Sequence, residues 1–138
     1  MIRLLLIFIL INGCQNNQTN YNPFIPDIDF ERVININLPV YDDLKFNGGS
    51  VKIDGIGVCG IILFNFNNDI IAWESCDPNH KKINSCPSLT VEGVQAKCIC
   101  ENNLYSLATG QILNEFSSNY PLIRYMTERV GSNLRVFN

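Results

Sequence analysis

Apolar and polar residues alternate with a period of two through Val33-Ile34-Asn35-Ile36-Asn37-Leu38. That period is the pattern of a strand with one buried face and one wet face. After Asn47-Gly48-Gly49, an Asn-Gly turn signal, Val51-Lys52-Ile53 resumes the alternation. Val58-Cys59-Gly60-Ile61-Ile62-Leu63-Phe64 is a nearly continuous apolar run, and the polar turn at residues 65–69 separates it from Ile70-Ile71-Ala72-Trp73. These two runs predict a hairpin at the centre of the core. Shorter strands are predicted at Leu89-Thr90-Val91, Ala96-Lys97-Cys98, Leu104-Tyr105-Ser106-Leu107, Tyr125-Met126-Thr127 and Asn133-Leu134-Arg135-Val136-Phe137. No stretch carries a sustained helical stripe, and residues 111–116 are long enough for one turn of helix at most. The pattern therefore predicts an all-β domain of short antiparallel strands, with no internal repeat.

Composition narrows the class. A chain of 138 residues, 46% hydrophobic, is one domain's worth and can build a modest core. Ten Lys and Arg against 13 Asp and Glu leave a net charge of −3. The basic residues are scattered, with Lys81-Lys82 the sole adjacent pair, so no patch exists to neutralise a phosphate backbone and nucleic acid is not an expected partner.

The start of the chain departs from the strand pattern. Arg3, the apolar run of residues 4–11 and then Asn12-Gly13-Cys14 have the charged start, short greasy middle and small-residue end of a secretory signal. The run is too short for a membrane-spanning helix. Its end resembles a bacterial lipobox, which implies acylation of Cys14, removal of residues 1–13 and a mature protein tethered by lipid to the membrane surface of the cell envelope. Residues 14–31 are polar, Asn-rich and interrupted by Pro23 and Pro26. They are expected to form a flexible tether, because they offer little apolar surface to offset ordering entropy. The folded domain is expected over residues 32–138.

Export bears on the thiols. Of six cysteines, setting Cys14 aside leaves Cys59, Cys76, Cys86, Cys98 and Cys100, in a compartment where disulfides persist. Four can pair and one is odd. Cys59 lies in the apolar run and is read as a buried, inert thiol. Trp73, Phe64, Phe66 and Tyr105 are read as core, and His80 as a solvated loop residue. No nucleophile, base and orienting acid assemble in the sequence, since Ser75 and His80 are merely neighbours, so an enzyme is not the expected class.

Two cysteine-bearing segments carry a family resemblance. Cys76-Asp77-Pro78-Asn79-His80 follows a strand ending in Ala72-Trp73, and Cys98-Ile99-Cys100-Glu101 precedes Leu104-Tyr105-Ser106-Leu107-Ala108-Thr109-Gly110. Together they resemble the two loops of Rieske-type [2Fe–2S] domains, in which Cys-x-His and Cys-x-x-His hold a cluster through two thiolates and two imidazoles. The final string is similar to the family's aromatic-Asp-x-x-Thr-Gly pattern, with Ser106 in place of the acid. Pro121-Leu122, Tyr125, the Gly131 turn and Leu134-Arg135-Val136 resemble the way such domains end. The resemblance covers residues 33–138 and implies a Rieske-like β domain.

The ligand posts depart from the family. Pro78 stands where the first imidazole belongs and Glu101 where the second belongs, and His80 is the one histidine of the chain. A His₂Cys₂ site within one molecule is excluded. Respiratory members of the family carry an extra cysteine in each loop, bonded to each other. That resemblance implies a Cys86–Cys100 disulfide and sets Cys76 and Cys98 facing each other, their expected fate a second disulfide. Each closure contributes about 3 kcal/mol by the chain-entropy estimate. The crossed pairing, Cys76–Cys86 with Cys98–Cys100, is disfavoured because a one-residue spacing strains the bond. An altered [2Fe–2S] cluster drawn from Cys76, His80, Cys98, Cys100 and Glu101, with Cys86 a further thiolate, remains the alternative. The expected protein is a membrane-anchored lipoprotein whose cluster has given way to disulfides, with a structural or binding role in the cell envelope. The alternative is electron transfer through a cluster with altered ligands.

Overall fold

A computed structural model describes residues 21–114 and 120–138. It is all-β apart from one short 3-10 helix, Pro39–Lys45. Strands β1 (Glu31–Asn35), β2 (Ser50–Ile53), β3 (Ile61–Phe66), β4 (Asp69–Glu74), β8 (Arg124–Val130) and β9 (Asn133–Phe137) form a six-stranded antiparallel sheet in the order β1-β9-β8-β4-β3-β2. The short strands β5 (Thr90–Glu92), β6 (Gln95–Lys97) and β7 (Leu104–Ser106) form a second sheet of three. Among the described residues no helix is long and apolar enough to cross a membrane.

The central hairpin explains why its two runs are apolar at almost every position. Strands β3 and β4 pair from Ile61↔Glu74 to Phe66↔Asp69, and Asn67 and Asn68, both at positive φ (53° and 71°), close the turn between them. Alternate side chains leave opposite faces of a strand. Ile61, Leu63 and Ala72 join Ile34, Tyr125, Leu134 and Val136 in one core. Ile62, Phe64, Ile71 and Trp73 join Leu89, Ala96, Tyr105, Leu107 and Leu122 in another, under the small sheet. A hairpin buried on both faces reads as a continuous hydrophobic run rather than as an alternation.

Several expectations are corrected. Val58, Cys59 and Gly60 do not belong to the strand; they lie in a turn-rich segment where Gly55, Gly57 and Gly60 all have positive φ, and pairing begins at Ile61. Phe66 is 44% exposed, since it ends β3 where the hairpin meets solvent. The 3-10 helix fills a stretch for which the sequence pattern predicts no element, with Pro39 in its first turn and Leu44 buried against the sheet. Ile112 bridges to Tyr105 in an extended conformation, so residues 111–114 form no helical turn; Phe116 lies outside the described residues.

The boundary at residue 32 also moves. Residues 22–31, assigned to the tether, pack on the domain: Ile25 is buried, and Phe30 meets Tyr125 edge-on at 4.7 Å. The side chain of Asn22 donates to the Pro78 carbonyl (2.8 Å) and accepts from the Phe24 and Ile25 amides. Asn22 thus caps its own turn while gripping the first cysteine loop, which replaces the missing apolar periodicity as a reason for order. The signal segment, Cys14 and the first part of the tether lie outside the described residues.

Candidate functional site

Three loops meet at one end of the molecule: residues 54–60 between β2 and β3, residues 75–89 between β4 and β5, and residues 98–103 between β6 and β7. The two loops that carry the family resemblance are neighbours in space, and each is tied to the sheets beneath it. The Ser75 amide donates to the Gly60 carbonyl (2.9 Å) and the Leu89 amide to the Ser75 carbonyl (2.7 Å). The Cys98 amide donates to Asn103 (2.9 Å), which closes the second loop on itself. Trp73 Nε1 donates to the Leu107 carbonyl (2.8 Å), and its ring packs on Gly110, whose φ of 74° and missing side chain let the chain cross the indole.

Two buried carboxylates organise the loops, and neither was singled out in the sequence. Glu74, fully buried at the end of β4, accepts from the amides of Val58 (2.8 Å), Cys59 (2.9 Å) and Cys76 (2.9 Å) and from the Tyr125 hydroxyl (2.5 Å). Four donors satisfy a charge that would be costly to bury alone. Asp77 accepts from the Tyr105 hydroxyl (2.6 Å), the Asn103 side chain (3.0 Å) and the Asn79 amide (2.9 Å). Asn79 in turn donates to Tyr105 (3.0 Å) and to the Tyr120 carbonyl (2.7 Å), joining the first loop to the returning chain. Burial, and then the adjacent carboxylates, push the phenol pKa values of Tyr105 and Tyr125 well above the ordinary range. The one sequence signal for Glu74 was an acid closing an otherwise apolar run.

The sulfurs fall into two groups. Cys76 is bonded to Cys59 (Cα–Cα 5.1 Å), and Cys86 to Cys100 (Cα–Cα 6.2 Å). Among the described residues Cys98 is the free cysteine, buried to 1% exposure, its thiol pKa raised chiefly by that burial. The Cys76–Cys98 bridge is therefore corrected to Cys59–Cys76, and Cys59 is no inert thiol. The physical reason is Glu74: one of its oxygens, Oε1, receives the amides of both Cys59 and Cys76, which sets their side chains together. Cys98 Sγ lies 3.6 Å from Cys86 Sγ instead. His80 is half-buried rather than solvated, with Nε2 3.6 Å from Glu101, and a ring nitrogen lies within 4.8 Å of both the Cys86 and Cys98 sulfurs.

These residues do not fit a [2Fe–2S] cluster. Pro78 has no donor atom in its side chain, and Glu101 is exposed and faces His80. The sulfur of Cys76 is spent on Cys59 and that of Cys100 on Cys86, so the five residues of the altered set are divided among separate contacts. The space left between Cys59, Cys76, His80, Cys86 and Cys98 is about 10 Å³, room for about one water molecule.

No protein-family model and no curated protein matches the sequence. Among solved structures, the chain is similar to the ferredoxin of carbazole 1,9a-dioxygenase from Nocardioides aromaticivorans, with 13% identity and a TM-score of 0.48 over 80% of this chain and 97% of that one. It is also similar to a chain of the complex of reduced oxygenase and oxidized ferredoxin in carbazole 1,9a-dioxygenase, with 15% identity and a TM-score of 0.47 over 66% of this chain and 82% of that one.

Proposed function

We propose that this chain is a Rieske-like domain in which two disulfides have taken over the bracing that a metal cluster would otherwise provide, and that it serves a structural or binding role at a membrane surface of the cell envelope, attached by lipid at Cys14. The observation that carries this reading is the Cys59–Cys76 bond. It removes the first-loop thiolate from any cluster, at a site whose two imidazole posts hold Pro78 and Glu101. Asp77 and its partners Tyr105 and Asn103 fill the space between the loops with hydrogen bonds. Two loop closures contribute about 3 kcal/mol each, a large share of the 5–15 kcal/mol typical of a domain. Lipid at Cys14 and export are supported by the sequence of residues 1–14.

The test is the full chain isolated from membranes of an expressing bacterium. The expected sample is colourless and iron-free, one thiol per chain reacts without reduction, and four more react only after reduction. An N-terminal peptide bearing acyl chains on Cys14 supports the anchor. A red-brown sample with about two irons per chain establishes the electron-transfer alternative. A soluble, unacylated chain removes the membrane assignment and leaves the disulfide reading standing.

A further inference from the structure

Cys98 has no part in either brace, yet its sulfur is held 3.6 Å from one half of a disulfide. The other half of that disulfide, Cys100, is exposed on the second loop, with its Sγ 3.8 Å from the Ser85 carbonyl. Cys86, the sulfur between them, is buried. Three sulfurs thus form a chain from interior to surface, and the two ends belong to one Cys98-Ile99-Cys100 segment.

We propose that Cys86, Cys98 and Cys100 form a thiol–disulfide exchange site, in which Cys98 displaces Cys100 from Cys86 and delivers a reactive thiol to the surface. The Cys98 thiol gives up its proton to His80. A bond forms between the Cys98 and Cys86 sulfurs as the Cys86–Cys100 bond breaks. The electron pair leaves with the Cys100 sulfur, which takes a proton from the imidazolium or from water. One disulfide and one thiol stand on each side of the step, so no oxidant or reductant is consumed.

The placement of the groups favours this direction. Closing 3.6 Å to a bond requires a movement of about 1.5 Å. A thiolate is better solvated at the exposed Cys100 than at the buried Cys98, and the sulfur whose anion is better stabilised leaves faster. His80 stands within 4.8 Å of both interior sulfurs, and Glu101, 3.6 Å from its Nε2, faces the charge that the imidazole gains. The released Cys100 thiolate is of the kind that attacks an external disulfide, R–S–S–R, forming a mixed disulfide on Cys100 and releasing R–SH. The partner class is therefore a disulfide that reaches the loop tip.

The inference rests on the reading that Cys98 holds no iron, so iron is measured on the same sample. The oxidised full chain is incubated with an alkylating reagent under native conditions, then digested without reduction, and labels and crosslinks are located by fragment-ion mass spectrometry. The expected result is time-dependent label on Cys100 with a Cys86–Cys98 crosslink. Cys98→Ser lowers native Cys100 labelling by about tenfold or more, and His80→Gln slows labelling without changing which cysteine is labelled. Cys100→Ser, which does not need Cys98 replaced, is expected to contain a Cys86–Cys98 disulfide and no label on either. Incubation with oxidised glutathione places glutathione on Cys100 in the natural chain and not in Cys98→Ser. Native Cys100 labelling that is absent, or unchanged in Cys98→Ser, overturns the exchange site, as does a Cys100→Ser chain with Cys86 and Cys98 both reduced in air. Bound iron overturns both readings, whereas an iron-free chain with an inert Cys100 overturns this one alone.

Discussion

Cys59 and Cys76 donate their backbone amides to the same carboxylate oxygen, Oε1 of Glu74, each at 2.9 Å. The shared acceptor holds a glycine-rich turn and the first cysteine loop together at the two residues that the disulfide joins. The disulfide and the carboxylate thus brace the same junction.

That relationship predicts the effect of neutralising Glu74. Glu74→Gln keeps the shape but replaces one acceptor oxygen with an NH₂ group facing donors. The expected cost is about 3 kcal/mol, since hydrogen bonds to a buried charge are the strong ones and an unpaired buried donor retains its desolvation penalty. Chemical denaturation measures the loss, and refolding from the reduced chain is expected to give less Cys59–Cys76 bond. An unchanged denaturation midpoint refutes the anchoring role.

Removing the bond itself gives a second prediction. Cys59 and Cys76 are separated by 17 residues, so Cys76→Ser is expected to destabilise by about 3 kcal/mol, with Cys59→Ser costing a similar amount. The double substitution is expected to cost little more than either single one, because both delete the same crosslink. Additive losses in the three denaturation curves would show that the two sulfurs act independently.

Alkaline pH provides a third. The phenols of Tyr105 and Tyr125 are held protonated by burial and by the neighbouring Asp77 and Glu74, and burial likewise holds the Cys98 thiol up. Their folded pKa values exceed the unfolded ones, so the folded state keeps protons that the unfolded state loses. Stability is fully present below the ordinary thiol value of about 8.5 and declines as pH rises past it, more steeply past the phenol value of about 10. Each phenol adds up to about 1.4 kcal/mol of loss per pH unit in that window. Urea midpoints measured across the alkaline range are the check, and in Tyr105→Phe the slope is expected to become shallower; a flat profile contradicts the burial of these groups.

Gly110 supplies a fourth. Its φ is 74°, and a Cβ built there would lie 2.6 Å from the Trp73 ring. Gly110→Ala combines a disfavoured backbone with overpacking and is expected to cost about 2–4 kcal/mol, with a changed Trp73 fluorescence because the indole must shift. Gly131→Ala, at a φ of 61° but with open space around it, is expected to cost only about 1 kcal/mol. Equal losses at the two glycines would show that the contact with the indole is unimportant.

Much of the architecture was legible because it is written in short-range patterns. The alternation of residues 33–38, the two apolar runs of the hairpin and the strands near residues 90, 96, 105, 126 and 135 each reflect a local choice of which face is wet. The positions where the reading failed share a cause. Val58 to Gly60 look like strand by composition, but the glycines around them adopt positive φ and the backbone turns. Residues 22–31 look like tether because their order comes from partners distant in sequence, such as Pro78, which Asn22 reaches across 56 positions, and Tyr125, which Phe30 meets.

The chemistry divides in the same way. The sequence by itself determined that Pro78 and Glu101 stand beside the loop cysteines, that one histidine exists, and that there are six cysteines, because these are facts of identity and count. Only the tertiary structure decided which cysteine is odd. Disulfide partners are chosen by distance and direction in space, and a buried carboxylate with four donors brought Cys59 rather than Cys98 to Cys76. No pattern along the chain encodes a donor count around one carboxylate, because the donors come from three segments that only the tertiary fold brings together.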